Sequence, residues 1–256
     1  MIIMKKVIVL NKREGETPLG ALENFRKKHK EYKDISITYA GRLDPMASGL
    51  LILLVGDKIK EKENYLKLDK EYNFEVLFGF STDTYDVLGK IVHSNVEADF
   101  SIKELEKKIK DNLKYFSGKL IQKYPAYSSK TVLGKPLFVY ARAGVEIEMP
   151  TREVFVRNLK FLGLKTRNNK SLLENIEKKI KKVDGDFRQK EILKLWHKNL
   201  AKNNNQKFYI ADFKIKCSSG TYVRSLANNL GEKIGVPALA FSIKRTKIGN
   251  KSTPNF

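Results

Sequence analysis

The sequence has few of the residues that build disulfides, metal sites and membrane spans. It contains one cysteine, Cys217, among 256 residues, so no disulfide can form within the chain. Its three histidines, His29, His93 and His197, are scattered, and without a cysteine or histidine cluster we expect no metal site. No segment approaches roughly 18 uncharged apolar residues, and the start has no apolar core of signal-peptide length. These absences predict a cytoplasmic protein that neither crosses a membrane nor holds a metal.

The charge of the chain is strongly one-sided. Lysine and arginine number 50 against 29 aspartates and glutamates, which gives a net charge of +21. Such a surplus favours a polyanionic partner, because neutralising phosphates releases counterions and steers encounter. The alternative explanation is an AT-rich genome, which favours lysine codons. Of the two, the charge favours a nucleic-acid partner.

Residues 37–56 are the most informative stretch. An apolar run over residues 50–55, closed by Gly56, predicts a buried strand. A turn precedes it, in which Pro45 biases Asp44 away from helical backbone angles and leaves the carboxylate on a rigid bend. An aspartate before proline is more often a turn cap than a nucleophile, so this stretch alone leaves both interpretations open.

The wider string resembles the catalytic motif of the TruB-type tRNA pseudouridine synthases, G-H-x-G-T-L-D-P-x-A-x-G-x-L. The residues in register are Gly41, Leu43, Asp44, Pro45, Ala47, Gly49, Leu51, Gly56 and Lys58. By this resemblance Asp44 is the nucleophilic aspartate. Tyr39 stands where the family has a histidine associated with the flipped-base site. Gly-Arg-Leu-Asp, with Arg42, also resembles pseudouridine synthases that act on ribosomal RNA.

Two further motifs follow. The alternating residues 70–79 predict a strand, and the family pattern K-x-Y places on it a tyrosine, here Tyr72, that stacks on the target base. The pattern T-D-T-x-D places Asp86 near the RNA. Without the resemblance, Tyr72 is an ordinary strand aromatic and the aspartate-rich segment is simply a turn.

Arg224 lies in the first turn of a helix that we expect Thr221 to cap. A cation there opposes the helix dipole, so a partner carboxylate is expected. The stretch resembles the family's C-S-x-G-T-Y-I-R-x-L, whose arginine pairs with the catalytic aspartate, here Asp44. Cys217, at the start of this motif, is expected to be strand packing rather than a nucleophile, since no histidine accompanies it.

The last motif, residues 238–249, resembles A-x-x-x-x-L-R-R-T-x-x-G. Ile243 takes the place of an apolar residue that lines the uracil pocket, and Arg245 that of the second arginine. The resemblance therefore implies catalytic roles for Asp44, Tyr72 and Arg224, and substrate contacts for Tyr39, Arg42, Asp86, Ile243 and Arg245. Seven residues follow Gly249, so the C-terminal RNA-binding PUA-type extension of many relatives is expected to be absent.

Between these motifs, periodicity predicts other elements. A capping box at Ser101 and Glu104 predicts a helix of about four turns. Alternation predicts strands over residues 145–149 and 154–156. Residues 163–207 predict an amphipathic helical hairpin, closed by a polar turn at residues 203–205. The hairpin carries 13 basic and 5 acidic residues, a net +8, and resembles an insertion. It either adds an RNA-backbone contact or is a solvated basic face packed on the core.

The resemblance implies one catalytic domain over residues 1–256, built of two coupled halves that meet at an RNA-binding cleft. The resemblance, which covers residues 5–162 and 208–250, implies an α+β fold with a mixed, mostly antiparallel central sheet flanked by helices. It also implies isomerisation of a flipped-out uridine, most simply in the T-loop of tRNA, by a monomer that needs no cofactor. The alternatives are another structured RNA and an RNA-binding or RNA-folding protein whose activity has lapsed.

Overall fold

The computed structural model describes residues 5–95, 101–201 and 206–252 of the chain. The strands are β1 (Val7–Lys12), β2 (Ile37–Ala40), β3 (Ala47–Val55), β4 (Lys70–Phe78), β5 (Phe80–Thr82), β6 (Ile91–Ser94), β7 (Gly118–Lys123), β8 (Thr131–Val132), β9 (Lys135–Pro136), β10 (Thr151–Asn168), β11 (Lys207–Cys217), β12 (Ala238–Ile248) and β13 (Lys251–Ser252). The α-helices are α1 (Pro18–Lys28), α2 (Lys62–Leu66), α3 (Ile102–Asn112), α4 (Leu137–Ala143), α5 (Asn169–Lys181), α6 (Gln189–Leu200) and α7 (Val223–Ile234).

Nine of these strands form one sheet through the middle of the molecule. Its order is β1-β3-β12-β4-β11-β10-β7, with β13 paired to β12 and β2 paired to β3. Within this sheet β12 and β3 pair in parallel, and the other described pairs are antiparallel. The predicted α+β class with a mixed, mostly antiparallel sheet flanked by helices is therefore confirmed.

Helices cover the sheet because its strands are apolar on both faces near the centre. On one face, α3 and α7 pack on Tyr72, Phe74 and Phe213. On the opposite face, α5 and α6 cover Leu77 and Ile210. Burial of this apolar surface, at roughly 25 cal/mol per Å², is what orders the helices on the sheet. The hairpin of α5 and α6 is thus packed on the core through its apolar stripe, as one of the two interpretations of it expected.

Local signals predicted several element ends correctly. The capping box is present, with the Ser101 hydroxyl accepting from the Glu104 amide and the Glu104 carboxylate accepting from the Ser101 amide. The helix it starts continues as a 3-10 turn to Phe116, which matches the predicted four turns. Gly235 follows the last residue of α7, and its left-handed backbone is typical of a glycine that ends a helix.

Three expectations about secondary structure were wrong. Residues 145–149 form no strand, because their alternation has neither a partner strand nor a core face to cover, and Val145 is 52% exposed. Residues 163–168 extend β10 rather than the hairpin, since they pair with β11. Thr221 does not cap α7; its hydroxyl donates to the Ser218 carbonyl instead. The polar turn expected at residues 203–205 lies outside the described residues.

Candidate active site

Asp44 lies on the loop between β2 and β3, beside the centre of the sheet. β3 leaves this loop in parallel with β12, and Ala47 faces Ile243 across the pair. The amide of Ala47 donates to the Asp44 carbonyl at 3.0 Å, which closes the turn. The side chain of Asp44 is 39% exposed, so the carboxylate can be reached from outside.

Arg224 lies in the first turn of α7, as the sequence predicted, and its guanidinium is held on all sides. Nε donates to Asp44 Oδ2 at 2.8 Å. Nη1 donates to the Thr84 carbonyl at 2.5 Å, and Nη2 donates to the Tyr127 carbonyl at 3.3 Å. The side chain is only 4% exposed. The structure thus brings together the two residues that the resemblance paired, and three partners from different loops fix the arginine.

Asp86 lies behind this pair rather than at the surface. It is 5% exposed, and its Oδ1 accepts from the Thr84 hydroxyl at 2.8 Å and from the Leu88 amide at 2.9 Å. Its Oδ2 lies 3.7 Å from Arg224 Nε. The residue was expected to contact the substrate, but its burial places it as a second carboxylate for Arg224.

Burial and neighbouring opposite charges together shift the pKa values of Arg224 and Asp86. Burial alone lowers the pKa of Arg224, but the charges of Asp44 and Asp86 outweigh it and raise that pKa. Burial raises the pKa of Asp86 to about 6, although the Arg224 charge opposes the shift. The guanidinium therefore stays charged, while Asp86 exchanges its proton in the mildly acidic range.

Tyr72 and Ile243 belong to one hydrophobic cluster with Leu43 and Ala47, the residues on either side of the Asp44 turn. Tyr72 is 8% and Ile243 7% exposed. Burial raises the pKa of Tyr72, so its hydroxyl stays protonated at neutral pH. The two predicted pocket residues therefore form an apolar wall beside Asp44.

Arg245 holds the loop rather than facing solvent. The side chain is 2% exposed, with Nε donating to the Leu50 carbonyl at 2.7 Å and Nη1 to the Arg42 carbonyl at 3.1 Å. Opposite it, Gly49 adopts a φ of +104°, and a Cβ there would collide with the Arg245 backbone. A residue expected to contact substrate thus anchors the backbone around Asp44.

The two remaining predicted residues lie on either side of this loop. Arg42 is exposed. Tyr39 is partly buried and packs against the cluster beneath α1, which includes Leu22 and Phe25. The structure therefore places Tyr39 against this hydrophobic cluster.

Sequence reasoning missed three supports of the site. Lys12 is 1% exposed, and its Nζ donates to the carbonyls of Arg13, Glu16 and Pro45. Gln122 is buried and bonds both the amide and the carbonyl of Tyr222, two residues before Arg224. Lys12 ends β1 and Gln122 lies in β7, and none of the motifs described above includes either residue. The carbonyl acceptors of Arg224 carry no signal, because any residue supplies one.

The part of the chain that the structure describes contains neither a metal-binding cluster nor a membrane-spanning helix. Residues 5–95, 101–201 and 206–252 contain no group of three or more histidines, cysteines, aspartates or glutamates placed to hold a metal ion. Within the same ranges, each helix is too short or too polar to cross a membrane. Cys217 is buried, and burial raises the pKa of its thiol to about 11, which fits packing rather than nucleophilic chemistry.

Comparison with known proteins identifies the family of the chain. Residues 26–182 match the family described as TruB family pseudouridylate synthase (N terminal domain). The chain is 31% identical over 244 residues to the tRNA pseudouridine synthase B of Lactobacillus acidophilus, covering 95% of this chain and 68% of that one. The Clostridium tetani protein of that name is 31% identical over 252 residues, with 98% and 70% covered. The chain belongs to the TruB family of pseudouridylate synthases, which confirms the resemblance read from its motifs.

Solved structures share the fold at lower identity. A chain of the crystal structure of a Cbf5-Nop10-Gar1 complex superposes with a TM-score of 0.56 at 19% identity, covering 95% of this chain and 48% of that chain. A chain of the structure of an H/ACA RNP bound to a substrate RNA containing 2'-deoxyuridine gives 0.55 at 18% identity, with 95% and 47% covered. This chain therefore spans about two thirds of those bacterial relatives and about half of the solved chains.

Proposed function

We propose that this protein converts a uridine in RNA to pseudouridine, with Asp44 as the nucleophile and the T-loop of tRNA as the target. The observation that carries the proposal is the contact between the exposed carboxylate of Asp44 and the buried guanidinium of Arg224. An arginine held by two backbone carbonyls orients the carboxylate while leaving one side of it open. The relatives' name, tRNA pseudouridine synthase B, supports tRNA as the substrate.

The chemistry needs one nucleophile and a held base. The uridine is flipped out of its stack, Asp44 attacks, and the bond between uracil nitrogen and ribose breaks. The freed uracil rotates and its carbon displaces Asp44 from the ribose; that carbon then loses its proton while the freed ring nitrogen gains one, so the product is an isomer of uridine. Because the base is kept and reattached, the reaction consumes no metal or redox cofactor.

The carboxylates of Asp44 and Asp86 differ in exposure, and this difference fits isomerisation rather than hydrolysis. A glycoside hydrolase uses a second carboxyl group as acid or base on the substrate. Here the second carboxyl, Asp86, is 5% exposed and faces Arg224, so it is screened from an incoming nucleoside. This arrangement favours a single nucleophile with a supporting charge.

The apolar wall and the basic surface supply the remaining binding. Tyr72 and Ile243 border the turn of Asp44, and stacking on such side chains contributes roughly 1–3 kcal/mol per base. The net charge of +21 provides the attraction to phosphates. We place the protein in the cytoplasm as a monomer that meets folded tRNA. A uridine in another structured RNA is the alternative substrate, favoured by Arg42 and by Tyr39 in the family's histidine position.

The test is pseudouridine formation on defined RNA. Wild-type protein, Asp44→Asn and the control Asp57→Asn are incubated with unmodified tRNA transcripts and with total RNA. Carbodiimide labelling and reverse-transcription stops then locate pseudouridine. Asp57 is 86% exposed, so its substitution removes a carboxylate without touching the site.

We expect a stop in the T-loop with wild type and Asp57→Asn, and none with Asp44→Asn. Stops in another RNA alone would change the substrate but keep the reaction. Equal activity of Asp44→Asn would refute the nucleophile. Tight RNA binding without any product from the wild type would favour a lapsed enzyme that binds or folds RNA.

A further inference from the structure

The turn between α5 and α6 reaches the loops that hold Arg224. Arg188 is the last residue of this turn, immediately before α6, and its backbone is left-handed with a φ of +64°. Its carbonyl accepts the first hydrogen bond of the helix, from the Ile192 amide at 3.0 Å. A left-handed backbone is uncommon for arginine, and such positions are held by their surroundings.

The Arg188 side chain is clamped between two residues. Nη1 donates to Asp83 Oδ2 at 2.7 Å and Nη2 to Asp83 Oδ1 at 3.2 Å, a bidentate pair. Nη1 also donates to the Tyr127 hydroxyl at 2.7 Å, and the guanidinium carbon lies 4.3 Å from the centre of the Tyr127 ring. Arg188 and Asp83 are 19% and 23% exposed, so water screens this contact only in part.

These two partners are next to the groups that hold Arg224. Asp83 precedes Thr84, whose carbonyl accepts from Arg224 Nη1, and Tyr127 supplies the other carbonyl acceptor itself. The Arg188 guanidinium therefore joins the two loops whose backbone carbonyls position the Arg224 guanidinium. We infer that Arg188 is a positioning residue of the active site, which acts through Asp83 and Tyr127 to fix Arg224 against Asp44. This inference rests on the proposed function of that pair.

Anchoring of the hairpin does not account for these contacts. α5 and α6 are already fixed by a large apolar cluster that includes Leu172, Ile176 and Trp196, each fully buried. A salt bridge that is partly exposed adds little to such a contact. What Arg188 does add is geometry, because a planar fork that bonds two partners sets the distance between them. Arg188 also lies beyond residues 26–182, the part of the chain that matches the N-terminal domain described for the family.

The test separates positioning from binding and from folding. Arg188→Ala, Arg188→Lys, Asp83→Ala and the double variant Asp83→Ala/Arg188→Ala are compared with wild type. Lys190→Ala is the matched control, since it removes one exposed positive charge two residues away. Three quantities are measured for each variant: the single-turnover rate of pseudouridine formation at saturating tRNA, the dissociation constant for that tRNA, and the urea midpoint of unfolding.

We expect Arg188→Ala to lower the single-turnover rate by roughly tenfold to a hundredfold, the cost of small misplacements at reacting groups, with a dissociation constant within about twofold of wild type. Arg188→Lys stays slow, because one ammonium cannot make the bidentate pair and the tyrosine contact together. The double variant is no slower than the slower of its two single variants, because both substitutions break the same clamp. Lys190→Ala keeps the wild-type rate.

Three results would overturn the inference while leaving the proposed function intact. These are a wild-type rate in Arg188→Ala, full rescue by lysine, and a rate loss matched by equal losses in affinity and urea midpoint. An inactive wild-type protein would instead remove the proposed function, and the positioning role with it.

Discussion

Arg224 Nε donates to Asp44 Oδ2 at 2.8 Å across 180 residues of sequence. One partner lies on the turn before β3 and the other in the first turn of α7. A cation near a helix N-terminus opposes the helix dipole, and the two aspartates beside Arg224 compensate for it. Tertiary structure therefore holds the pair together. Substitutions of these residues and of the residues around them have testable consequences.

Arg224→Lys should separate charge from geometry. Lysine keeps a positive charge beside Asp86 but cannot also reach both the Thr84 and Tyr127 carbonyls. We expect the single-turnover rate to fall at least about a hundredfold, because Asp44 loses its fixed orientation. The free energy of unfolding should fall by less than the roughly 3–5 kcal/mol expected for Arg224→Ala, which leaves Asp86 buried and unpaired. Rate assays and urea unfolding of both variants check this, and a fully active Arg224→Lys would contradict it.

Asp86 should make stability depend on pH in the acidic range. Burial raises its pKa from the ordinary 3.8 to about 6, so the folded protein holds a proton that the unfolded chain releases between these values. Relative to Asp86→Asn, the wild type should be most stable below about pH 4, lose about 1–3 kcal/mol as the pH rises through 6, and then level off. Urea unfolding of both proteins from pH 4 to 8 measures the difference. If the stability of the wild type relative to Asp86→Asn instead increases with pH, the Arg224 charge lowers the pKa of Asp86 by more than burial raises it.

Lys12→Met should destabilise the loop that carries Asp44. Burial lowers the pKa of Lys12 to about 8, and its ammonium satisfies three carbonyls, among them that of Pro45. Methionine fills the space but donates nothing, so we expect a loss of about 2–4 kcal/mol in the free energy of unfolding. The single-turnover rate should fall too, since Pro45 follows Asp44. Lys33→Met, at an exposed lysine, is the control and should change neither quantity.

Gly15→Ala should loosen the contact between the N-terminal loop and the helical hairpin. Gly15 has a φ of +96°, donates to the Pro45 carbonyl at 2.8 Å, and has the Lys182 backbone where a Cβ would lie. We expect a loss of about 2–4 kcal/mol in the free energy of unfolding. Gly144→Ala is the control, because its φ is +66° with open space around it, and it should lose only about 1 kcal/mol. Equal losses of stability in the two variants would show that the positive φ alone, and not the collision with Lys182, sets the cost of adding a Cβ.

Local patterns were reliable where local physics decides the structure. The capping box at Ser101 predicted the start of α3, and the apolar run before Gly56 predicted β3, although β3 begins three residues earlier than that run. The expectation of a strand over residues 145–149 was wrong because alternation describes a strand only where a neighbour pairs with it. The hairpin was placed too early for the same reason, since residues 163–168 gain a partner in β11.

The residues of the candidate active site show the same contrast between what local patterns predict and what tertiary packing decides. The resemblance named Asp44 and Arg224, and the structure brings them into contact. It also named Asp86 and Arg245 as substrate contacts, whereas both are buried, one beside Arg224 and the other under the loop of Asp44. Whether a polar side chain faces solvent or a buried partner depends on what packs over it, which motif spacing does not contain. Arg188 was invisible for this reason, as its partners come from two distant loops.

By itself, the sequence determined the family, the fold class, the basic character and the acidic residue on a rigid turn. Each of these depends on residue type, order and short-range spacing, which the chain carries explicitly. Only the tertiary structure decided that Asp44 stays reachable while Arg224 is enclosed, and that Lys12 and Arg245 donate to backbone carbonyls. Those outcomes depend on carbonyl groups that every residue has, and only folding selects which of them meet a charge.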